Sequence, residues 1–165
     1  MDEQNGFRKG RSCEDHLFVM TSIIRNRCNV KLDTFAAFID LRKAFDLVHR
    51  DLMLYKMQQN GIDGKFYFIT KSLYCDTQAC VQLNDLKTEW FNTQLGVRQG
   101  DNMSPTLFSI YINDLIVELK NMKCGINING ENVCSLLYAD DIVLLSENEK
   151  NLQEILNYVY NWCKI

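Results

Sequence analysis

Two aspartates stand side by side inside an otherwise almost wholly apolar run, "LLYADDIVLL", from Leu136 to Leu145. The stretches around them, "VCSLL" and "IVLL", read as buried strands, and Asp140 and Asp141 then fall at a tight turn between them. Aspartate is a common turn residue, so a plain hairpin accounts for the pair. Equally, two carboxylates held at a turn between packed strands form a rigid binding point for a hard divalent cation. The second reading requires further oxygen ligands from elsewhere in the chain.

Buried strands need a core, and 165 residues with 47% hydrophobic and 24% charged content suffice for one folded domain. The formal net charge of -3 excludes a wholly basic nucleic-acid coat but leaves room for a local basic face. Seven scattered cysteines without a CxxC pair suggest neither a disulfide framework nor a zinc finger, and read as buried thiols of an intracellular protein. There is no long apolar span and no basic-then-apolar leader, so neither a membrane helix nor a secretory signal is expected. One proline and eight glycines leave little room for linkers, and no internal repeat is present.

The opening "EQNGFRKGRSCEDHLF" reads as a basic, glycine-punctuated loop entering a helix from about Cys13 to Arg27, with Leu17, Met20, Ile23 and Ile24 on one face. "DTFAAFID" has strand character. Phe45, Val48, Leu52, Tyr55 and Met57 predict a helix from Lys43 to Gln59 that stops near Gly61, and "KFYFITKSLYC" predicts another. "QACVQL" and "TEWFNTQL" flank "NDLK" as a hairpin. "SPTLFSIYINDLIVELKNM" has proline near its first turn and Leu107, Ile110, Tyr111, Leu115 and Leu119 at helical spacing. "NEKNLQEILNYVYNWC" closes the chain as an amphipathic helix with Leu152, Ile155, Leu156 and Val159 inside. Helix, strand, helix, helix, hairpin, helix, hairpin, helix implies an α+β sheet layered with helices.

Asp40 supplies the missing carboxylate. Like Asp140 it ends an apolar strand, where its side chain can project past a packed sheet, although an N-cap of the next helix would also explain it. Asp46 is read as a solvated or helix-start charge. Carboxylates from two strands converging on paired Mg²⁺ ions about 3.5 to 4 Å apart suit in-line phosphoryl or nucleotidyl transfer. In "GVRQGD", Gly96 and Gly100 bracket Val97, Arg98 and Gln99 just before a helix. That arrangement suits close backbone approach to a flat or charged ligand, and equally a plain loop with a helix cap.

In order and spacing, Asp40 within "FIDLRKAFD", the segment "GVRQGDNMSPTLFSIYINDL" and "YADD" resemble the three central palm motifs of reverse transcriptases. The polymerases of non-LTR (LINE-type) retrotransposons look closest, and "QNGFRKGRS" resembles the segment they carry ahead of the palm. The resemblance covers nearly the whole chain. It implies a right-hand polymerase palm of α+β class, its antiparallel sheet backed by helices, with residues 1–30 next to the fingers and 31–165 in the palm. In that family, triphosphate-holding basic residues of the fingers lie upstream and a lysine-bearing motif and thumb lie downstream. Fingers, thumb and the usual endonuclease are therefore expected to be largely missing from these residues.

The implied activity is RNA-directed DNA synthesis from dNTPs on an RNA template and a DNA primer, with two Mg²⁺ ions, or Mn²⁺ in their place, and a nuclear location. Asp40 and Asp140 match the metal-binding aspartates, and Asp141 a supporting acid. Phe45 matches the aromatic gate that excludes a ribose 2'-hydroxyl, which argues against the alternative of an RNA-directed RNA polymerase. Gln99 and Gly100 match the loop against the incoming nucleotide and template, and Ser104 and Pro105 the start of its helix. Tyr138 and Ala139 would face the primer end. Arg8, Lys9 and Arg11 form a basic loop suited to a nucleic-acid backbone, or simply a solvated one. A truncated remnant that at most binds RNA or metal is the alternative.

Overall fold

Alternation dictates the first strand: in "FAAFID" every second side chain is more buried, as a strand with one face on a core requires. In this computed structural model, which describes residues 3–164, the elements in chain order are α1 (Cys13–Asn29), β1 (Phe35–Asp40), α2 (Arg50–Gln59), α3 (Gly64–Tyr74), β2 (Gln78–Ala79), β3 (Gln82–Leu83), β4 (Leu86–Lys87), β5 (Phe91–Asn92), α4 (Ser104–Asn121), β6 (Ile126–Ile128), β7 (Glu131–Val133), β8 (Ser135–Tyr138), β9 (Asp141–Ser146) and α5 (Glu149–Trp162). They divide into two units, one formed by the chain up to Arg42 together with Ile112 onward, the other by Lys43–Tyr111.

The first unit is built on an antiparallel sheet of order β1-β9-β8. Its register pairs Ile39 with Ile142 and Ala37 with Leu144. Leu137, Ile142 and Leu144 are fully buried. Residues opposed across an antiparallel pair share a face, so Leu136, Val143 and Leu145 lie on the other side. There they pack with Ile23, Val19 and Met20 of α1 and with Ile126, Ile128 and Val133. Helix α5 packs along β9 and β1. The outer edge of β8 is covered by the N-terminal segment: Gln4 bridges Leu137 in parallel, Leu137 N–H donates to Glu3 O at 2.7 Å, and Asn5 N–H donates to Leu137 O at 2.9 Å. An uncovered edge strand would template pairing with other chains.

Helix α1 starts at a capping box in which Ser12 and Asp15 bond each other's backbone N–H. Its buried stripe runs through Val19, Met20 and Ile23, while Leu17 and Ile24, expected inside, are exposed. The apolar spacing of α1 is compatible with more than one stripe, and only the sheet face selects between them. The β6–β7 hairpin is additional to the elements that the sequence pattern predicts. Its turn is Asn129–Gly130 with φ of +52° and +90°, the pair of left-handed residues that a type I′ turn needs.

In the second unit the helix expected from Lys43 begins only at Arg50. Lys43 takes φ +49°, and a single turn follows in which Asp46 and Leu47 N–H donate to Lys43 O. The carbonyls of Phe45 and Val48 then accept from Val97 and Gly96 N–H at 2.9 and 2.8 Å, so tertiary bonds replace helical ones. Gly96 has φ +84°, and a Cβ there would stand 2.8 Å from Asp46 O, so only glycine fits this crossing. The expected hairpin forms as two short pairings, β2 with β5 and β3 with β4. Val48, Met53, Met57, Leu107 and Phe108 are among the buried side chains of this unit.

Arg50 holds the loop after β5. Its guanidinium donates to Gly96 O and Leu95 O at 2.9 Å each, to Thr93 O at 2.6 Å and to Thr77 Oγ1. Burial pulls its pKa below the usual arginine range, opposed in part by Tyr74, whose ring it overlies at 5.4 Å.

The seven cysteines are free thiols, but only Cys124 and Cys134 are buried, against the expectation of buried thiols throughout. Burial, with Cys124 nearby, pushes the Cys134 thiol up to about 12.

Replacing Arg50 with Met takes the guanidinium donor from Leu95 O and Gly96 O, while Thr93 O keeps its bond from Thr77 Oγ1. The expected cost is about 2 to 3 kcal/mol, read as a lower urea midpoint by far-UV circular dichroism.

Candidate functional site

The last register pair of β1 and β9 sets Asp40 directly opposite Asp141. Tyr138 pairs with Asp141 from the other side, so the turn between β8 and β9 is the two residues Ala139 and Asp140. All three expected acids thus gather at one end of the sheet, because the apolar register of the strands puts them there. Asp40 and Asp141 share a face and are exposed, whereas Asp140, in the turn, is half-buried. No helix starts directly after Asp40, since the next, α2, begins at Arg50, and this rules out the N-cap explanation for it. The residue facing Asp40 is Asp141, not Asp140, a detail that sequence spacing does not reveal.

Like charges directly opposed across strands destabilise a sheet. A cation at this end would offset that cost, and carboxylate oxygens are the donors that Mg²⁺ prefers. Among the described residues no three His, Cys, Asp or Glu side chains converge closely enough to hold a metal ion between them. The donor set fits a hard cation that takes its remaining ligands from water and substrate phosphates, not a closed protein cage. Tyr138 and Phe38 lie on the same sheet face as Asp40 and are exposed, Phe38 at 71%.

Ala139 carries φ +58°, unusual for a residue other than glycine. The turn is held from the N-terminal segment by residues that sequence reading passed over. Gln4 Nε2 donates to Ala139 O, and Ala139 N–H donates to Gln4 Oε1, both at 2.9 Å. Gly6 lies so close that a Cβ on it would stand 2.2 Å from Ala139 N. His16 Nε2 lies 2.8 Å from Leu137 O, to which it donates, which leaves Nδ1 facing the Asn5 carboxamide nitrogen at 3.4 Å. Only the "QNG" spelling, already noted for its resemblance, pointed to this segment.

The basic loop lies beside it. Arg8 Nη1 donates to Gln4 O at 3.1 Å, and Arg8, Lys9 and Arg11 are exposed. Arg11 lines a cavity of about 1000 Å³ together with His16, Lys120 and Lys123.

In the second unit, Phe45 packs on Phe108 with ring centroids 4.4 Å apart. Gln99 Nε2 donates to Asp46 Oδ1 at 3.0 Å, so Asp46, exposed as expected of a solvated charge, also ties down the glycine-bracketed loop. Arg98 Nη2 donates to Leu73 O at 2.6 Å, and Ser104 Oγ donates to Arg98 O at 2.6 Å. Gly100, at φ +82°, has open space where a Cβ would stand. Phe45, Gln99 and Gly100 therefore sit on one braced loop system within this unit, and Ser104 opens α4 as expected.

The family model described as reverse transcriptase (RNA-dependent DNA polymerase) matches residues 1–165. Among curated relatives, a retrovirus-related Pol polyprotein from the type-1 retrotransposable element R2 of Popillia japonica is 31% identical over 112 residues, covering 67% of this chain and 18% of its own length. A probable RNA-directed DNA polymerase from transposon BS of Drosophila melanogaster is 29% identical over 99% of this chain, again 18% of its own length. The chain thus spans about a fifth of these relatives. Apo telomerase from Candida tropicalis shares the fold with a TM-score of 0.66 at 13% identity, over 96% of this chain and 32% of that one.

Replacing Asp141 with Asn removes one of the two facing charges. In chelator-treated, low-salt buffer the calorimetric melting temperature is expected to rise, and the gain to shrink as salt screens the pair.

Proposed function

Because the chain belongs to the reverse transcriptase (RNA-dependent DNA polymerase) family, we propose that it is the palm of an RNA-directed DNA polymerase that adds dNTPs to a primer 3'-hydroxyl on an RNA template. The observation that carries this reading is the meeting of Asp40, Asp140 and Asp141 at one sheet end.

In this reading Asp40 and Asp140 hold two Mg²⁺ ions, with Mn²⁺ as a substitute. Bound there, the ions lower the pKa of the primer hydroxyl and offset charge on the departing pyrophosphate. Asp141 keeps the site negative from the opposite strand. Tyr138 and Ala139 support the primer end, where the exposed Tyr138 ring offers a stacking surface to a base. Phe45 acts as the gate against a 2'-hydroxyl, and its packing on Phe108 limits its freedom to move aside. Gln99 and Gly100 lie against the incoming nucleotide and template. The open space at Gly100 supports that role. Arg8, Lys9 and Arg11 contact backbone phosphates, a use that fixes position without reading sequence.

Residues 1–30 form the segment next to the fingers and 31–165 the palm, and the site of action is the nucleus. No helix among the described residues is long and apolar enough to cross a membrane. A second reading is a truncated chain that at most binds RNA or metal without turnover.

Primer extension on an RNA template with dNTPs and Mg²⁺ separates the two. The polymerase reading expects Asp40→Asn and Asp140→Ala to fall to background while Asp141→Asn retains part of the activity. Extension that survives Asp140→Ala would overturn the assignment, and a wild-type chain that binds Mn²⁺ but extends nothing would favour the second reading. Phe45→Val is expected to admit ribonucleotides in the same assay. Unchanged rejection of ribonucleotides would remove Phe45 from the gate.

A further inference from the structure

Resting on the polymerase reading, we propose that Gln4 is a positioning residue for nucleotidyl transfer: its carboxamide clamps the backbone of Ala139 and so fixes the turn that carries Asp140. The two residues are 135 positions apart in sequence, and nothing in the hairpin itself supplies this contact.

The turn needs an external hold. A two-residue hairpin whose first central residue is left-handed is natural for glycine, but here that residue is alanine at φ +58°. Alanine in this conformation persists where its surroundings over-determine it. Gln4 does so with both ends of its side chain: Nε2 donates to Ala139 O while Oε1 accepts from Ala139 N–H, each at 2.9 Å. Oε1 also accepts from Gly6 N–H at 2.8 Å. The orientation of the carboxamide is unambiguous, since reversing it would set donors against two N–H groups.

The clamp is itself rigid. Gln4 is 1% exposed. Its backbone bridges Leu137, whose carbonyl also accepts from His16. Gly6 presses on Ala139, leaving no room for a Cβ between the two backbones. Leu137 and Ala139 are thus gripped on either side of Tyr138, one residue before Asp140.

A carboxamide offers a donor and an acceptor side by side in one plane without charge, and this yields a test. Gln4→Met keeps the bulk and loses both bonds to Ala139 and the one from Gly6 N–H. Gln4→Glu, as a carboxylate, still accepts from Ala139 N–H but repels Ala139 O; once protonated, it donates again. The Gln4→Glu chain should therefore regain activity relative to wild type as pH falls through the pKa of the introduced carboxyl, and Gln4→Met should not.

Two measurements on the full chain decide the matter. Hydrogen exchange of the Ala139 amide is expected to rise about tenfold in Gln4→Met, with Ile142 to Leu145 in β9 and α1 unchanged. In steady-state primer extension, kcat is expected to fall about tenfold or more with KM for dNTP held. An unchanged Ala139 amide overturns the clamp. Exchange that rises equally throughout β9 makes Gln4 merely structural and also overturns the proposal, as does a Gln4→Glu activity ratio without pH recovery. If the wild-type chain extends no primer, the polymerase reading fails and the positioning role with it, while the exchange result still reports separately whether Gln4 holds the turn.

Discussion

The antiparallel register of β1 on β9 is the constraint from which the site follows. It is set by apolar pairs, Ala37 with Leu144 and Ile39 with Ile142, whose β9 members are fully buried. A slip of one residue would send every side chain of β1 to the opposite face, putting Phe38 where Ile39 belongs. The position of Asp40 against Asp141 is therefore a by-product of core packing: two exposed like charges are held together by the burial of the residues behind them. Such an arrangement is unfavourable in isolation, and it is tolerated because the apolar register is worth more than the repulsion of two solvated carboxylates costs.

That sheet has three named strands, and β8 is only four residues long. The segment Glu3–Asn5 completes it, by pairing with Leu137 and by delivering Gln4 to the turn. Edge protection and support of the site are here one feature. The capping box at Ser12 and Asp15 starts α1 shortly after this segment, and α1 then returns along the sheet to bury Ile23 with Leu136 and Leu145.

What sequence reading recovers is what local pattern controls. β1, the β8–β9 hairpin, α3, α4 and α5 follow from period, caps and one proline, and the three acids share one sheet end, although Asp141, expected in the turn, opens β9 and faces Asp40. The failures are non-local. α2 is shortened because Gly96 and Val97, far along the chain, capture the carbonyls of Val48 and Phe45. Asp46 is exposed, as a solvated charge should be, but its bond to Gln99 spans 53 residues and has no local signal. Gln4 could not be paired with Ala139 from spelling alone. The β6–β7 hairpin is different, since Asn129–Gly130 is a local turn signal that was legible and overlooked.

The loops that bear candidate residues share one physical problem. Each leaves the regular ladder, so its backbone N–H and C=O groups lose their ordinary partners and need substitutes. In the first unit the substitute is Gln4, which supplies a donor and an acceptor to Ala139. In the second it is Arg50, whose guanidinium takes the carbonyls of Thr93, Leu95 and Gly96. The chemistry matches the need: a single residue in a hairpin turn presents one N–H and one C=O, which a neutral carboxamide mirrors, whereas a run of outward carbonyls suits the five-donor fork of arginine. Water could satisfy the same groups, but it would leave the loops free to move. Side chains anchored in packed elements satisfy them and fix them at once, and a group that must meet a reacting atom within a few tenths of an ångström needs both.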